Sequence, residues 1–232
     1  MALAPGETNE SFIREVDENL RRSQAEDFFR RWGGWVIGAA LLLLAATAGL
    51  LYWRNHRAEV AADQSEKLAA VISDIGAGNT GTVPQRLAEI ERQGTDEWAG
   101  LAQMTGAALA LQGGNRAQAI AGYRAVAAND DQPQGVRDAA LVRGTALEFD
   151  QLKPEEVIAR LQPLARADNP WFGSAGEMTA LAMLKQNRRT EAGRLFAAVA
   201  AKKELPSSLR SRAVQIAGTL GVDATAQLPS AR

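Results

Sequence analysis

The sequence predicts an all-α protein, with a single N-terminal transmembrane helix followed by an α-solenoid of antiparallel helix pairs. Three observations carry this. Residues 32–53, WGGWVIGAALLLLAATAGLLYW, hold no charged side chain. Beyond Arg54, few stretches alternate apolar and polar residues with the period of a strand. Apolar helical stretches there recur with a period near 35 residues, broken by GAGNTG, QGGN and ADNP. Composition agrees with this reading. Apolar residues make up 46% and aromatics only 6%, which favours close helix packing over sheets of β-branched and aromatic residues.

The tail, residues 1–31, comes first. Phe12, Ile13, Val16 and Leu20 recur at helical spacing, with Asn9 or Ser11 available as a cap. This predicts an amphipathic helix of about four turns, lying on the membrane surface, docked on a partner or simply solvated. Seven acidic against five basic residues make anionic lipid a poor attractor.

The uncharged run follows, framed by Arg30, Arg31 and Arg54. As a helix its 22 residues reach roughly 33 Å, about the thickness of a bilayer's hydrocarbon. Trp32 and Trp35 at one end and Tyr52 and Trp53 at the other match interfacial aromatic belts. A cleaved signal fits poorly, because the mixed-charge tail precedes the run and Ala46 and Ala48 lie inside it. The flanking cations favour a cytoplasmic N-terminus. Arg14, Arg21, Arg22, Arg30 and Arg31 stand before the run, and Arg54, Arg57 and Lys67 after it. The remainder is then periplasmic in a Gram-negative inner membrane. Gly34 and Gly38 form a GxxxG pair, a candidate contact with another membrane helix, though glycine is common in spans.

Residues 54–220 form the helical repeats, and 221–232 are expected to be a loose tail. Residues 54–76 either continue the span or restart beyond it. In the first unit Gly106-Ala107 precede a turn at Gly114, then Ala119 and Tyr123, closing at Pro133. The second has Gly144-Thr145, a turn near Leu152, then Val157 and Leu161, closing at Pro170. The third has Thr179-Ala180, a turn near Asn187, then Ala192 and Phe196, closing at Pro206. Small residues let paired helices cross closely, large ones fill the space towards the next unit, and prolines end each unit. Residues 207–220 make a terminal capping helix. The spacing resembles the tetratricopeptide repeat. Val126, Leu164 and Val199 stand where that motif prefers alanine, and Leu152 replaces the turn glycine.

Catalytic chemistry is not expected. The single histidine, His56, sits beside the apolar run with Arg54 and Arg57, so a triad or zinc site has little to work with. The absence of Cys excludes disulfides and thiolate ligands. FGSAG at 172–176 lacks the first glycine of a nucleophile elbow, and GGNR lacks the lysine of a phosphate loop. Glu155 and Glu156 sit at a helix start, where acids suit the dipole. No catalytic residue, cofactor or metal is therefore assigned, and a net charge of −1 gives no field for nucleic acid.

Solenoids bind other polypeptides. Helix 97–112 holds no Lys, Arg or Asn with which to clamp a C-terminal carboxylate. Its inner face is expected to be apolar, through Leu101, Met104 and Leu111. Trp98 and Trp171 each open a first helix and either anchor a partner or pack between units.

Taken together, SFIREVDENLRR, the RRWGGW entry into the span, VRGTALEFDQLKPEEVIARLQPL and WFGSAGEMTALAMLKQNRRTEAGRLFAAV resemble the YfgM-type ancillary subunit of the SecYEG translocon, in its alphaproteobacterial branch. The likeness runs from Glu10 to Gly221. It implies a non-enzymatic inner-membrane protein whose partners, besides the lipid bilayer, are a SecYEG-like translocon and a membrane-anchored periplasmic chaperone of the PpiD type. Such a protein hands emerging chains to periplasmic folding factors. The alternative is an envelope-assembly scaffold that self-associates as a homo-oligomer through Gly34 and Gly38.

Overall fold

The computed structural model describes the backbone of residues 7–227 and the side chains of residues 30–227. Among the described residues the fold is all-α, with no strand. Two compact units divide it, residues 1–62 and 63–232.

The first helix, α1 (Glu7–Gly76), holds the apolar run. Residues 54–76 belong to this same helix, so its backbone continues beyond the run rather than restarting. The expected amphipathic face of Phe12, Ile13, Val16 and Leu20 lies outside the described side chains. Along the run the large apolar side chains are uncovered. Leu42 is 72% exposed, Trp35 77% and Tyr52 76%. A soluble core helix would bury such residues, and this one is long and apolar enough to span a membrane. Thr47 satisfies its hydroxyl within the helix, donating to Leu43 O at 2.7 Å. Immediately past the run, the Arg57 guanidinium lies 3.9 Å from the Trp53 ring centroid, and His56 stacks parallel to Tyr52.

The second unit begins with the last turns of α1. Leu68 and Val71 pack against Val83, Leu87 and Ile90 of α2 (Val83–Gln93) and Ala102 of α3 (Asp96–Gln112). Arg86 of α2 pairs with Asp74 at the same joint. Three helix pairs follow: α3 with α4 (Arg116–Ala128), α5 (Gln134–Glu148) with α6 (Pro154–Leu161), and α7 (Phe172–Lys185) with α8 (Arg189–Ala201). Then comes α9 (Ser207–Thr219). First helices of successive pairs touch, α3 on α5 and α5 on α7, which is the stacking of a solenoid.

The residues matched across the three units lie in the core. Ala107, Thr145 and Ala180 on the first helices are buried, as are Ala119, Val157 and Ala192 on the second. Tyr123, Leu161 and Phe196 are buried one turn further on, and Val126, Leu164 and Val199 after them. The departures from alanine at those last positions are therefore apolar residues filling the interior. Two of the three closing prolines act as expected, since α5 and α9 start directly after Pro133 and Pro206, whereas Pro170 lies in the turn between Leu161 and Phe172.

The turns differ between pairs. α3 ends on Gly114 (φ +81°) and α7 on Asn187 (φ +61°), both left-handed. Each closes with a five-residue return bond, Asn115 N–H to Ala110 O and Arg188 N–H to Met183 O. Asn115 then caps α4 by accepting from the Gln118 N–H at 3.1 Å. The second pair has neither device. Its second helix is also short, because Pro163 lacks the N–H that another turn would need.

One expectation is corrected. Residues 221–232 were expected to be loose, yet Val222 and Ala224 pack on the α7–α9 core, and Arg210 donates to Gln227 O at 2.9 Å. Gly193 makes the room: a Cβ there would lie 2.8 Å from a Val222 methyl. The expectation for residues 228–232 lies outside the described residues.

Candidate functional site

A solenoid's working part is its exposed surface. The residues singled out in the sequence divide into exposed and packed. Leu101 and Leu111 of α3 are open, at 36% and 38% exposure. Met104 corrects the sequence reading: it is buried among Ala107, Tyr123, Val126 and Ala140, so it belongs to the core between α3, α4 and α5. A helical spacing of three placed it beside Leu101 on the wheel, but α4 and α5 cover that side. Trp98 packs against the Leu68–Ala102 cluster, and Trp171 against the cluster around Leu161. Both tryptophans are only partly buried. Gly34 and Gly38 face open space, with no atom within 4 Å of an added Cβ.

One concavity was not found from the sequence. It is a trough of about 500 Å³ between α2 and α4, floored by α3. Small residues hollow it: Gly106, Ala107 and Ala110 on α3, and Gly122 and Ala125 on α4. The sequence reading assigned the small pair Gly106-Ala107 to the close crossing of α3 and α4. Of the two, Ala107 makes that crossing, lying against Gly122, where an added Cβ would come within 2.9 Å of it. Gly106 itself looks into the trough.

The main charged cluster lies at the end of α5. Glu148 is only 3% exposed. Arg124 of α4 approaches it through both Nε and Nη2, the former at 3.1 Å, and Arg160 of α6 reaches it at 3.2 Å. Burial pushes the Glu148 carboxyl up, but Arg124 and then Arg160 outweigh burial and hold it below the usual carboxylate range. Around it, Arg116 donates to Leu147 O, and Lys185 bonds Asp150 at 3.0 Å while lying over the Phe149 ring. Four cations thus gather at the C-terminal end of α5, where the helix dipole is negative and free carbonyls need donors. This arrangement replaces the left-handed turn that the second pair lacks. All of these groups are engaged within the fold.

No cluster of three His, Cys, Asp or Glu side chains suited to a metal occurs among the described residues. His56 stacks on Tyr52.

The architecture therefore defines a class: a binding solenoid of helix pairs on a chain that also carries a membrane-length helix. The chain belongs to the tetratricopeptide repeat-like domain family, whose model matches residues 26–217. Domains of this family are protein-interaction modules and are typically not enzymes, so protein partners are implied. No curated protein and no solved structure matched the chain.

Proposed function

We propose that this protein is a membrane-anchored adaptor at the Sec translocon, binding the translocon and a membrane-anchored periplasmic chaperone to assist exported chains. The observation that carries the anchored-adaptor part is the pairing of an uncovered, membrane-length apolar helix with a repeat domain built for protein contacts. The translocon assignment is supported by the likeness of the tail, the RRWGGW entry and the repeats to the YfgM-type subunit. The five-to-three excess of flanking cations supports a cytoplasmic N-terminus and a periplasmic solenoid.

Site-specific crosslinking in native membranes tests the partners. Capture of a SecY-like protein and a PpiD-like chaperone is expected, and capture of neither sinks the assignment. A C-terminal alkaline phosphatase fusion tests the side. It should be active, since that enzyme folds only outside the cytoplasm; an inactive fusion at normal abundance reverses the orientation.

A second reading is supported by the open glycine face at Gly34 and Gly38, which would let a second copy of the span approach closely. Replacing both with Ile should then abolish dimers in membranes, and an unchanged oligomer refutes it.

A further inference from the structure

The trough between α2 and α4 has a chemistry that selects its occupant. Its walls are apolar or small: Leu87 from α2, Gly106 and Ala110 from α3, Gly122 from α4. Two side-chain amides, Gln103 and Gln118, and one carboxylate, Glu91, are its polar groups. At about 500 Å³ it has room for two or three apolar side chains of an entering segment. A floor of glycine and alanine lets the entering backbone come close, as small residues do wherever two backbones meet.

Charge sets the rest. Of the four arginines of α2 and α4, two are paired with carboxylates and two donate to backbone carbonyls. Arg86 pairs with Asp74, Arg92 donates to Ala88 O, Arg116 to Leu147 O, and Arg124 binds Glu148. Helix α3 contributes no base at all. The carboxylates Glu89, Glu91, Asp96 and Glu97 form no ion pair among the described residues. Four carboxylates without an ion pair thus stand against Arg92 and Arg116, whose partners are neutral carbonyls, so the charges of α2 to α4 outside ion pairs are net negative, and Glu91 lines the apolar trough. Burial pushes the Glu91 carboxyl up from its ordinary value.

We propose that this trough binds an extended segment of a partner polypeptide in which apolar side chains flank a lysine or arginine. The apolar side chains fill the hollow over Gly106 and Ala110. The cation meets Glu91, and the two glutamine amides satisfy N–H and C=O groups that an extended backbone leaves open. A helical segment satisfies those groups itself and has less use for the amides. This inference rests on the adaptor reading and names the chemistry of one bound segment.

The test uses the full chain in detergent micelles and a fluorescent acetyl-Ala-Leu-Arg-Leu-Ala-amide peptide, beside the same peptide with neutral citrulline for arginine. The arginine peptide should bind about fivefold more tightly, the worth of a partly exposed ion pair. Glu91→Gln should erase that preference while leaving citrulline binding unchanged. Ala110→Phe, which fills the hollow, should remove binding of both peptides. Should Ala110→Phe perturb folding, Gly106→Ala serves instead. Its new Cβ meets only Leu87, at 3.8 Å, so it should weaken both peptides without lowering the melting temperature. Equal affinity for the two peptides overturns the proposal, as does undiminished binding in the filled variants. A dimer that Ala110→Phe dissociates would show a second copy as the occupant, and arginine-peptide binding lost to added anionic vesicles would show a lipid surface; either also overturns it. Failure here is separable from failure of the adaptor reading. Membrane crosslinks without peptide binding overturn the trough alone, and peptide binding without those crosslinks overturns the translocon assignment alone.

Discussion

The second and third helix pairs share one plan and are completed differently. In the third, α7 and α8 meet along their full lengths over Ala180, Ala192, Phe196 and Val199, and a left-handed Asn187 turns the chain between them. In the second, Pro163 cuts α6 short, α5 meets α6 sparsely, and the turn has no left-handed residue. Apolar packing there runs mostly from α6 to α7. A carboxylate and two arginines close the gap that the missing helical turn leaves. The same repeat spacing can thus be completed by buried surface alone or by buried surface with a charge cluster beside it. The first is insensitive to pH and salt, and the second is not.

Substitutions separate the two modes. The largest loss is expected from Phe196→Ala, about 4 kcal/mol by urea unfolding, because a fully buried aromatic leaves a cavity. That loss should not vary with salt. Glu148→Ala should cost about 2 kcal/mol, less than a deeply buried pair because Arg124 regains water. The pH dependence follows from the lowered Glu148 pKa. A depressed carboxyl contributes stability above its ordinary value, near 4.3, and that contribution is lost as pH falls through the lower folded value. Melting curves of Glu148→Gln should therefore converge with those of the parent below about pH 4 and separate above it. Parallel curves at every pH would falsify the charge lock.

The turns should respond more weakly. Gly114→Ala should cost about 1 kcal/mol, since an alanine Cβ is strained at φ +81°. Asn187→Gly should gain up to about 0.5 kcal/mol at its left-handed position. Leu152→Gly, which restores the repeat's turn glycine by sequence, should instead destabilise, because Leu152 packs on the core of the second pair. Thermal melts of these three order them. Thr145→Val is a smaller test. The buried Thr145 Oγ1 has no hydrogen-bond partner among the described residues, so an isosteric methyl should be neutral or stabilising by about 1 kcal/mol.

The repeat was legible because its signal is apolar and periodic. Ala119, Val157 and Ala192 could be aligned from spacing alone, and all three are buried. The membrane-length helix was legible from an uncharged run with aromatic ends. Met104 was misplaced because wheel position gives a direction, whereas burial depends on which neighbouring helix covers it. The packing of Val222 and Ala224 was missed because few apolar residues stand there, and their docking depends on the space that a distant Gly193 leaves. The trough was illegible for a related reason. Gly106, Ala110 and Gly122 read as ordinary small packing residues, and only three helices together make a hollow of them. Glu148 gave no signal either, since its partners lie 24 and 12 residues away with no motif to link them.

That separation has a consequence for how the protein can change over time. Arg124, Glu148 and Arg160 lie on three helices but form one cluster, and should be inherited together. A lineage that loses the carboxylate keeps two arginines facing each other without a counter-charge, so relatives should hold all three or replace all three. In an alignment, positions 124, 148 and 160 should covary, while the apolar positions around them drift independently among residues of similar size.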